Sequence, residues 1–202
     1  MSTSEKILKT ALELFSKRGY TAVSIRDICK EVGIKESTIY YHFKNKQDIL
    51  DSLTARFQER TQKLVNPFEQ EMFSLKDISD EGFIKVGLIF IEDYLMDSFI
   101  NPFIRILLIE QGTNEGLSAL YRQLLFENPL EVQSRIFEYL IEIRYFKKVD
   151  SRFLSIAYYS PIFFFLHKYL LSGTITETVK AQAKAEVEAH LKLFLRQYKQ
   201  SI

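Results

Sequence analysis

Apolar residues recur every three or four positions along most of this chain, which is the spacing of one buried helix face. Ile7, Leu8, Ala11 and Leu12 open the pattern, and the same spacing continues through the later segments. Strand-like alternation bounded by Asn-Gly turns does not occur. The sequence therefore predicts an all-α protein of nine or ten helices with no sheet.

Capping residues divide the first third of the chain into four helices. A Ser followed three residues later by an acidic residue matches a capping box, and a Gly after the last apolar position is typical of a helix stop. The starts are marked by Ser2 with Glu5, Ser24 with Asp27 and Asn45 with Asp48, the stops by Gly19 and Gly33, and the end of the fourth helix by Asn66–Pro67.

The remaining chain follows the same rules. Asn-Pro pairs and single Asp or Thr residues mark helix starts, and Gly residues mark stops. The predicted helices run from about Asp80 to Phe99, from Asn101–Pro102 to Gly112, from Asn114 to about Lys147 with a break at Asn128–Pro129, from Asp150 to Leu171 with a kink at Pro161, and from Thr176 to about Gln200.

Composition agrees with a folded helical protein, and the charge distribution adds one asymmetry. Hydrophobic residues make up 47% of the 202 positions, which is enough for a sizeable core. The whole chain carries a net charge of only +1, yet residues 1–50 hold nine Lys or Arg against six Asp or Glu. A mildly basic N-terminal end on an acidic body favours contact with phosphates through that end alone.

Several classes of protein are excluded by what the sequence lacks. The single cysteine, Cys29, rules out a disulfide framework within the chain and a Cys-based zinc site. The start has no cleavable signal, and the most apolar stretch, 153–166, is too short to span a bilayer. We therefore expect a cytoplasmic protein with no membrane partner.

The segment from Ser24 to Lys46 has the pattern of a helix-turn-helix. Cys29 supplies a small residue where two helices touch, Gly33 reverses the chain, and Ile39 anchors the second helix. That second helix also carries an unusual polar and aromatic set suited to the major groove of DNA: Ser37, Thr38, Tyr40, Tyr41 and His42.

These residues resemble the N-terminal domain of tetracycline-repressor (TetR) family regulators. The resemblance covers about the first 55 residues and rests on Gly19-Tyr20, Ser24 to Ile28, Gly33-Ile34, Thr38 to Phe43, Lys46 and Leu50. It implies an N-terminal three-helix helix-turn-helix DNA-binding domain over residues 1–48. A larger C-terminal helical domain over residues 49–202 is then expected to bind an effector and to dimerise.

The resemblance also implies which residues contact operator DNA. Lys35 stands where the family commonly has Ser, and Ser37 where it commonly has Gly or Ala, so the helix cap at Lys35 is weaker here. Glu36 is open to two interpretations, reading a base or repelling phosphate. The implied DNA-binding residues are Ser24, Arg26, Lys35, Glu36, Ser37, Thr38, Tyr40, Tyr41, His42 and Lys46.

For the body, the resemblance implies a homodimer through the last two helices and a small, largely apolar effector whose binding releases the DNA. Ala181, Ala185 and Ala189 give the last helix a face of small residues, although packing within the chain would also explain it. His167 could orient the effector, although an ordinary core or surface histidine is the favoured interpretation of that residue alone. The candidate effector residues are Phe90, Tyr94, Phe103, Arg105, Glu110, Tyr121, Phe126, Tyr139, Tyr159, Phe163 and His167.

Two other function classes remain open. A ligand-sensing protein-interaction module without DNA binding would share the helical body, but the intact DNA-facing set argues against it. An all-helical enzyme would need catalytic side chains, and the sequence has no phosphate-binding loop, zinc-protease motif or CxxC. No catalytic, metal-binding or cofactor-binding residue is therefore predicted.

Overall fold

The protein is described by a computed structural model that covers residues 1–74, 78–171 and 173–200. Within those ranges it consists of ten α-helices and three π-helical segments, and contains no β-strand. The all-helical prediction is confirmed. The α-helices are α1 Thr3–Arg18, α2 Ile25–Val32, α3 Glu36–His42, α4 Lys46–Ser74, α5 Asp80–Ile89, α6 Ile100–Glu110, α7 Glu115–Arg122, α8 Asn128–Glu142, α9 Ser151–Phe165 and α10 Glu177–Tyr198, and the π-helical segments are Phe90–Leu95, Gln123–Glu127 and Leu166–Leu170.

The chain divides into two compact units, and the first is assembled from two separate stretches of sequence. Met1–Gln62 and Ser98–Tyr121 form this N-terminal unit, in which α1 packs against α2 and α6. The rings of Phe57 on α4 and Phe103 on α6 stack at a centroid distance of 4.7 Å, and both side chains are fully buried. The helix-turn-helix thus shares one core with α6.

Local signals set the ends of the first helices as predicted. Ser2 with Glu5 and Ser24 with Asp27 both form complete capping boxes. Gly19 ends α1, and the ring of Tyr20 meets Phe15 edge-on at 5.3 Å. These starts and stops depend on residues at most four positions apart, so the sequence was sufficient to place them.

The second unit comprises Lys63–Asp97 and Arg122–Ile202. Within it α8 packs along α9, and α10 packs against α5 and α9. Its core is a cluster of rings in mutual contact, which combines apolar burial with edge-to-face and stacked geometry. The rings belong to Phe83, Phe137, Phe146, Tyr158 and Phe194.

Four predicted helix ends were wrong. Helix α4 does not end at Asn66–Pro67 but continues to Ser74, because a proline removes one backbone donor without necessarily ending a helix. The helix that begins at Asp80 continues as a π-helical segment and ends at Leu95, not at Phe99 as predicted. Helix α8 ends at Glu142 rather than near Lys147, because Arg144 takes the left-handed conformation (φ 61°) and turns the chain away.

The fourth error concerns Asn101, which is not a helix cap. Helix α6 begins one residue earlier, at Ile100, and Asn101 is buried inside its first turn. The Asn101 Oδ1 accepts a hydrogen bond from the Nε of Arg105 at 3.1 Å. A polar contact within the helix therefore replaces the capping role.

Two properties of the described residues bear on other classes of protein. None of the helices in these ranges is both long and apolar enough to cross a bilayer. Nor do three His, Cys, Asp or Glu side chains come together there in a way that could hold a metal ion.

Candidate nucleic-acid interface

The turn between α2 and α3 brings the two helices into close contact. Gly33 adopts the left-handed conformation (φ 76°, ψ 37°), and its N–H donates to the carbonyl of Cys29 at 2.9 Å. Cys29 and Ile39 are buried beneath the turn, as predicted. Burial raises the pKa of the Cys29 thiol, and the nearby charge of Glu36 adds to this effect. Cys29 thus packs as a small core residue.

Helix α3 separates its buried and exposed faces sharply. Ile39 is completely buried, whereas Tyr41 is 85% exposed and Tyr40 is 53% exposed. Lys35 and Ser37 are also exposed at the start of the helix. No side chain caps this helix, because Lys35 occupies the N-cap position and offers no acceptor. The result is a short helix that presents hydroxyl groups, rings and an ammonium group to solvent.

The other residues of the predicted set lie on or beside this face. Thr38 and His42 are half-buried, and the His42 ring meets the Tyr41 ring edge-on at 5.1 Å. Ser24 is exposed at the start of α2, where its hydroxyl donates to Asp27 and accepts from the Asp27 N–H. Hydrogen bonds from the Ser24 backbone and side chain lower the pKa of the Asp27 carboxyl.

Lys46 makes contacts that the sequence did not predict. Its ammonium group donates to the carbonyls of Tyr20 and Val23, each at 2.9 Å, and to that of Thr21 at 3.4 Å. It also lies 4.3 Å from the centre of the Tyr20 ring. Burial lowers the pKa of Lys46, and the charge of Glu110 opposes that change. All three ammonium N–H groups therefore have acceptors within the chain, and contact with phosphate stays a prediction.

Glu110, which the sequence placed among the effector residues, lies in the N-terminal unit beside the α1–α2 turn. It is only 2% exposed and accepts hydrogen bonds from the Thr21 N–H at 2.9 Å and the Thr21 hydroxyl at 2.7 Å. Burial alone would raise its pKa, but the hydrogen bonds from Thr21 and Thr113, with the charge of Lys46, lower it below the usual value. Both carboxylate oxygens are thus engaged.

The other effector candidates fall into separate groups. Phe103, Arg105 and Tyr121 lie in the N-terminal unit, where burial lowers the pKa of Arg105 and raises that of Tyr121. The second unit holds Phe90 stacked on Tyr94 at 4.9 Å, and a half-buried Tyr139.

A third group is contiguous and lies entirely within the second unit. The ring of Phe163 lies 4.6 Å from Phe126, 6.0 Å from Tyr159 and 4.2 Å from His167. The Nδ1 of His167 also lies 3.0 Å from the Phe163 carbonyl. We call Phe126, Tyr159, Phe163 and His167 the aromatic cluster.

Comparison with known families agrees with the helix-turn-helix. Residues 7–53 match the family model described as bacterial regulatory proteins, tetR family. A biofilm operon icaADBC negative transcriptional regulator, IcaR of Staphylococcus aureus, is 25% identical over 203 residues that cover 95% of this chain and 98% of IcaR. The chain belongs to the TetR family.

Other relatives of this TetR-family chain match over shorter stretches. YvkB of Bacillus subtilis, an HTH-type transcriptional regulator, is 29% identical over 80 residues, and IcaR of Staphylococcus epidermidis is 44% identical over 45. These alignments cover 40% and 22% of this chain, and only 41% and 24% of the relatives. The proteins named here are all transcriptional regulators, and the chain is a transcriptional regulator of the TetR type.

Solved structures show the same fold over the whole chain. A TetR-family regulator from Mesorhizobium loti superimposes with a TM-score of 0.73 at 16% identity, covering 98% of this chain and all of the other. The SmeT–triclosan complex superimposes with a TM-score of 0.69 at 18% identity, covering 100% and 93%. The second, larger helical region is therefore built as in other TetR-family proteins.

Sequence reasoning listed Glu110 only as an effector residue and missed its contacts, and it did not single out Gln133. Glu110 continues the buried stripe of Ile106 and Leu107 on α6, so its spacing did indicate burial. Gln133 lies likewise on the buried stripe of α8, one turn before Phe137. What each of these side chains meets depends on packing between distant segments, for which the sequence holds no local signal.

Proposed function

We propose that this protein binds operator DNA as a homodimer and releases it when a small, largely apolar effector binds. The exposed face of α3 is the observation that carries the proposal. Two large rings, Tyr40 and Tyr41, face solvent there although apolar surface is ordinarily buried, and Ile39 anchors the opposite face in the core. A short helix held in this way suits base-edge and sugar-phosphate contacts in a major groove.

DNA binding is tested with fragments from upstream of the protein's own gene, by fluorescence anisotropy over a range of salt concentrations. We expect a steep salt dependence, and a loss of about tenfold or more in affinity for Tyr41→Ala and for Lys35→Ala. Lys9→Ala, which removes another exposed lysine, on α1, is the matched control. Full binding by Tyr41→Ala and Lys35→Ala would favour the interaction module that does not bind DNA.

Dimerisation through α9 and α10 is supported by an apolar face that these helices leave uncovered. Phe164 on α9 and Leu193 on α10 are about 60% exposed, and Phe153 and Ile156 on α9 are about half exposed. The two helices run antiparallel, as the contact between Tyr158 and His190 and that between Phe153 and Tyr198 require. Exposed Ala181, Ala185 and Ala189 extend the face along α10 and permit close helix packing.

Sedimentation analysis of Leu193→Glu and Phe164→Glu tests the dimer. Each change places a charge on the proposed interface, so we expect monomers at concentrations where the wild type is dimeric. Ile89→Glu makes the same change at a 43% exposed position on α5 and is expected to leave the dimer intact. Monomers should also bind operator weakly, because one recognition helix loses the benefit of its linked partner.

Two separate features of the second unit, the aromatic cluster and Gln133, support the effector class. The cluster offers flat apolar surface with few charges, which favours a mostly apolar ligand. The Gln133 Oε1 is buried and accepts no hydrogen bond within the described part of the chain. A buried acceptor without a partner is costly, so a ligand that donates an N–H or O–H there would gain affinity. SmeT is similar in fold and was solved with triclosan.

Triclosan and a flavonoid are practical first probes, because a flavonoid-responsive regulator, FrrA, also shares the fold (TM-score 0.57, 21% identity, 98% of each chain covered).

A binding probe should raise the melting temperature and weaken operator binding about 5- to 150-fold, the usual range of such coupling. Phe163→Ala should abolish both effects. Gln133→Leu should remove only the preference for ligands with a donor group. Unchanged DNA binding with every stabilising probe would contradict ligand-induced release.

A further inference from the structure

The turn between α1 and α2, residues Gly19 to Val23, passes very close to α6. Gly19 has a φ of +84°, and a Cβ atom built on it would lie 2.7 Å from the Glu110 Oε1 and 2.9 Å from the Ile109 Cγ2. A side chain at this position would be strained and would also clash. The backbone of the turn therefore lies directly against the C-terminal end of α6.

Two side chains from other helices bind this turn, one as a hydrogen-bond acceptor and the other as a donor. On one side, the Glu110 carboxylate of α6 accepts from the backbone N–H and the hydroxyl of Thr21. On the other, the Lys46 ammonium of α4 donates to the carbonyls of Tyr20 and Val23. Ionised groups make stronger hydrogen bonds than neutral ones, so the turn is fixed at both its donors and its acceptors.

The turn leads straight into the part of the protein expected to touch phosphate. Ser24 follows Val23 directly and caps α2, and Arg26 stands in the first turn of that helix. Backbone N–H groups at a helix N-terminus attract anions only when they point at them, so the orientation of this end matters for a phosphate contact.

We propose that Glu110 is a positioning residue for operator binding, which fixes the α1–α2 turn and thereby the N-terminus of α2. This inference rests on the proposed DNA-binding function. It extends the DNA-reading unit to a carboxylate 89 residues beyond Thr21 in the sequence. A neutral amide at position 110 would offer one acceptor oxygen to the two donors of Thr21, so the turn is held less firmly and α2 loses its fixed orientation, while α3 keeps its own contacts.

The test compares Glu110→Gln and Thr21→Val with Thr113→Val. The control removes the third hydrogen bond to the same carboxylate, a 3.2 Å contact from the Thr113 hydroxyl, without touching the turn. Operator affinity and its salt dependence are measured on folded protein, well below the unfolding temperature. We expect Glu110→Gln and Thr21→Val each to weaken operator binding about tenfold. We also expect each to lower the slope of log affinity against log salt concentration by about the contribution of one phosphate contact.

A double-mutant cycle and hydrogen exchange complete the design. The effects of Glu110→Gln and Thr21→Val should add less than fully in the double variant, because both disrupt the contact between Glu110 and Thr21. The Thr21 amide should exchange faster in Glu110→Gln, a measurement that uses no DNA. Wild-type operator affinity and salt slope in Glu110→Gln, or additive effects, would overturn the positioning role. If the wild type binds no operator, the proposed function is overturned instead. If the Thr21 amide exchanges at the wild-type rate in Glu110→Gln, only the inference about Glu110 is overturned.

Discussion

Arg26 and Glu36 join the first turn of α2 to the first turn of α3 through an ion pair, with 2.9 Å between the guanidinium Nε and the carboxylate Oε1. The Arg26 side chain is 85% exposed, so the pair contributes little to the free energy of unfolding. Its effect is on charge, because a predicted phosphate contact is partly neutralised before DNA arrives. Glu36 on this interpretation lowers the attraction of α2 for any phosphate backbone.

Replacing Glu36 by Gln should therefore tighten non-specific DNA binding. We expect an affinity gain of about 2- to 5-fold at 0.1 M salt, shrinking at higher salt, with the melting temperature unchanged. Glu13→Gln on α1 changes the net charge equally at an exposed position and serves as the control. Equal gains in both variants would show that net charge, and not the Arg26 pair, is responsible. A change in base preference would instead support base reading by Glu36.

Gly33 and Gly112 form a matched pair for testing the helix-turn-helix turn. A Cβ atom added at either position would meet nothing within 4 Å, but only Gly33 has a positive φ. Gly33→Ala should lower the free energy of unfolding by about 1 kcal/mol, and Gly112→Ala should leave it nearly unchanged or slightly higher. Chemical denaturation measures both, and similar values would contradict the assigned backbone strain.

Gly87 tests the packing of the second unit. A Cβ atom there would lie 2.6 Å from the Leu191 Cδ1 and 3.0 Å from the Tyr158 hydroxyl oxygen. Gly87→Ala should cost about 1–3 kcal/mol, because the core has no room for another methyl group. Gly116→Ala on α7 meets only the Asn114 Oδ1 at 3.4 Å and should stabilise by about 0.4–1 kcal/mol. Opposite signs for the two melting-temperature shifts are the expected outcome.

His190 should make stability depend on pH. Burial lowers the pKa of His190, although the 2.9 Å contact of its Nε2 with the Tyr158 carbonyl opposes this. The unfolded chain then binds a proton more readily than the folded one, so stability falls as pH decreases from about 6.5, by at most about 1.4 kcal/mol per pH unit. His190→Gln should flatten the profile in that range. An unchanged profile would show that another group titrates.

Glu110 contributes in a different pH range. Its folded-state pKa is also lowered, so its stabilisation is present above the pKa of an unfolded glutamate, about 4.3, and is lost as the pH falls further. The two groups can therefore be separated in one series of unfolding measurements.

The features that the sequence predicted well depend on signals between neighbouring residues. Ser24 with Asp27, and Gly33 after Val32, are signals that act within a few residues, and α2 begins and ends where they place it. The opposite faces of α3 likewise follow from the 3.6-residue period, which buries Ile39 and exposes Tyr41.

What the sequence did not predict depends on contacts between distant segments. Glu110 was listed as a polar group that could orient an effector, because its helix corresponds to the effector region of the family, but only the fold shows that Thr21 supplies two of its donors. Helix α8 ends at Glu142, and the positive φ that the stop rule expects of a Gly is taken two residues later by Arg144. Phe146 then pairs with Lys199, the residue that follows α10. The proposed boundary at residue 48 stays a prediction, whereas the compact unit around the helix-turn-helix also contains residues 98–121.

The two-part composition of the N-terminal unit has a consequence for synthesis on the ribosome. The helix-turn-helix emerges first, but its partner α6 ends at Glu110, and the second stretch of the unit ends at Tyr121. At about 5–20 residues per second, roughly 3–12 s separate translation of Gln62 from that of Tyr121. During this interval α6 cannot yet cover the side of α1 that it packs against in the folded protein.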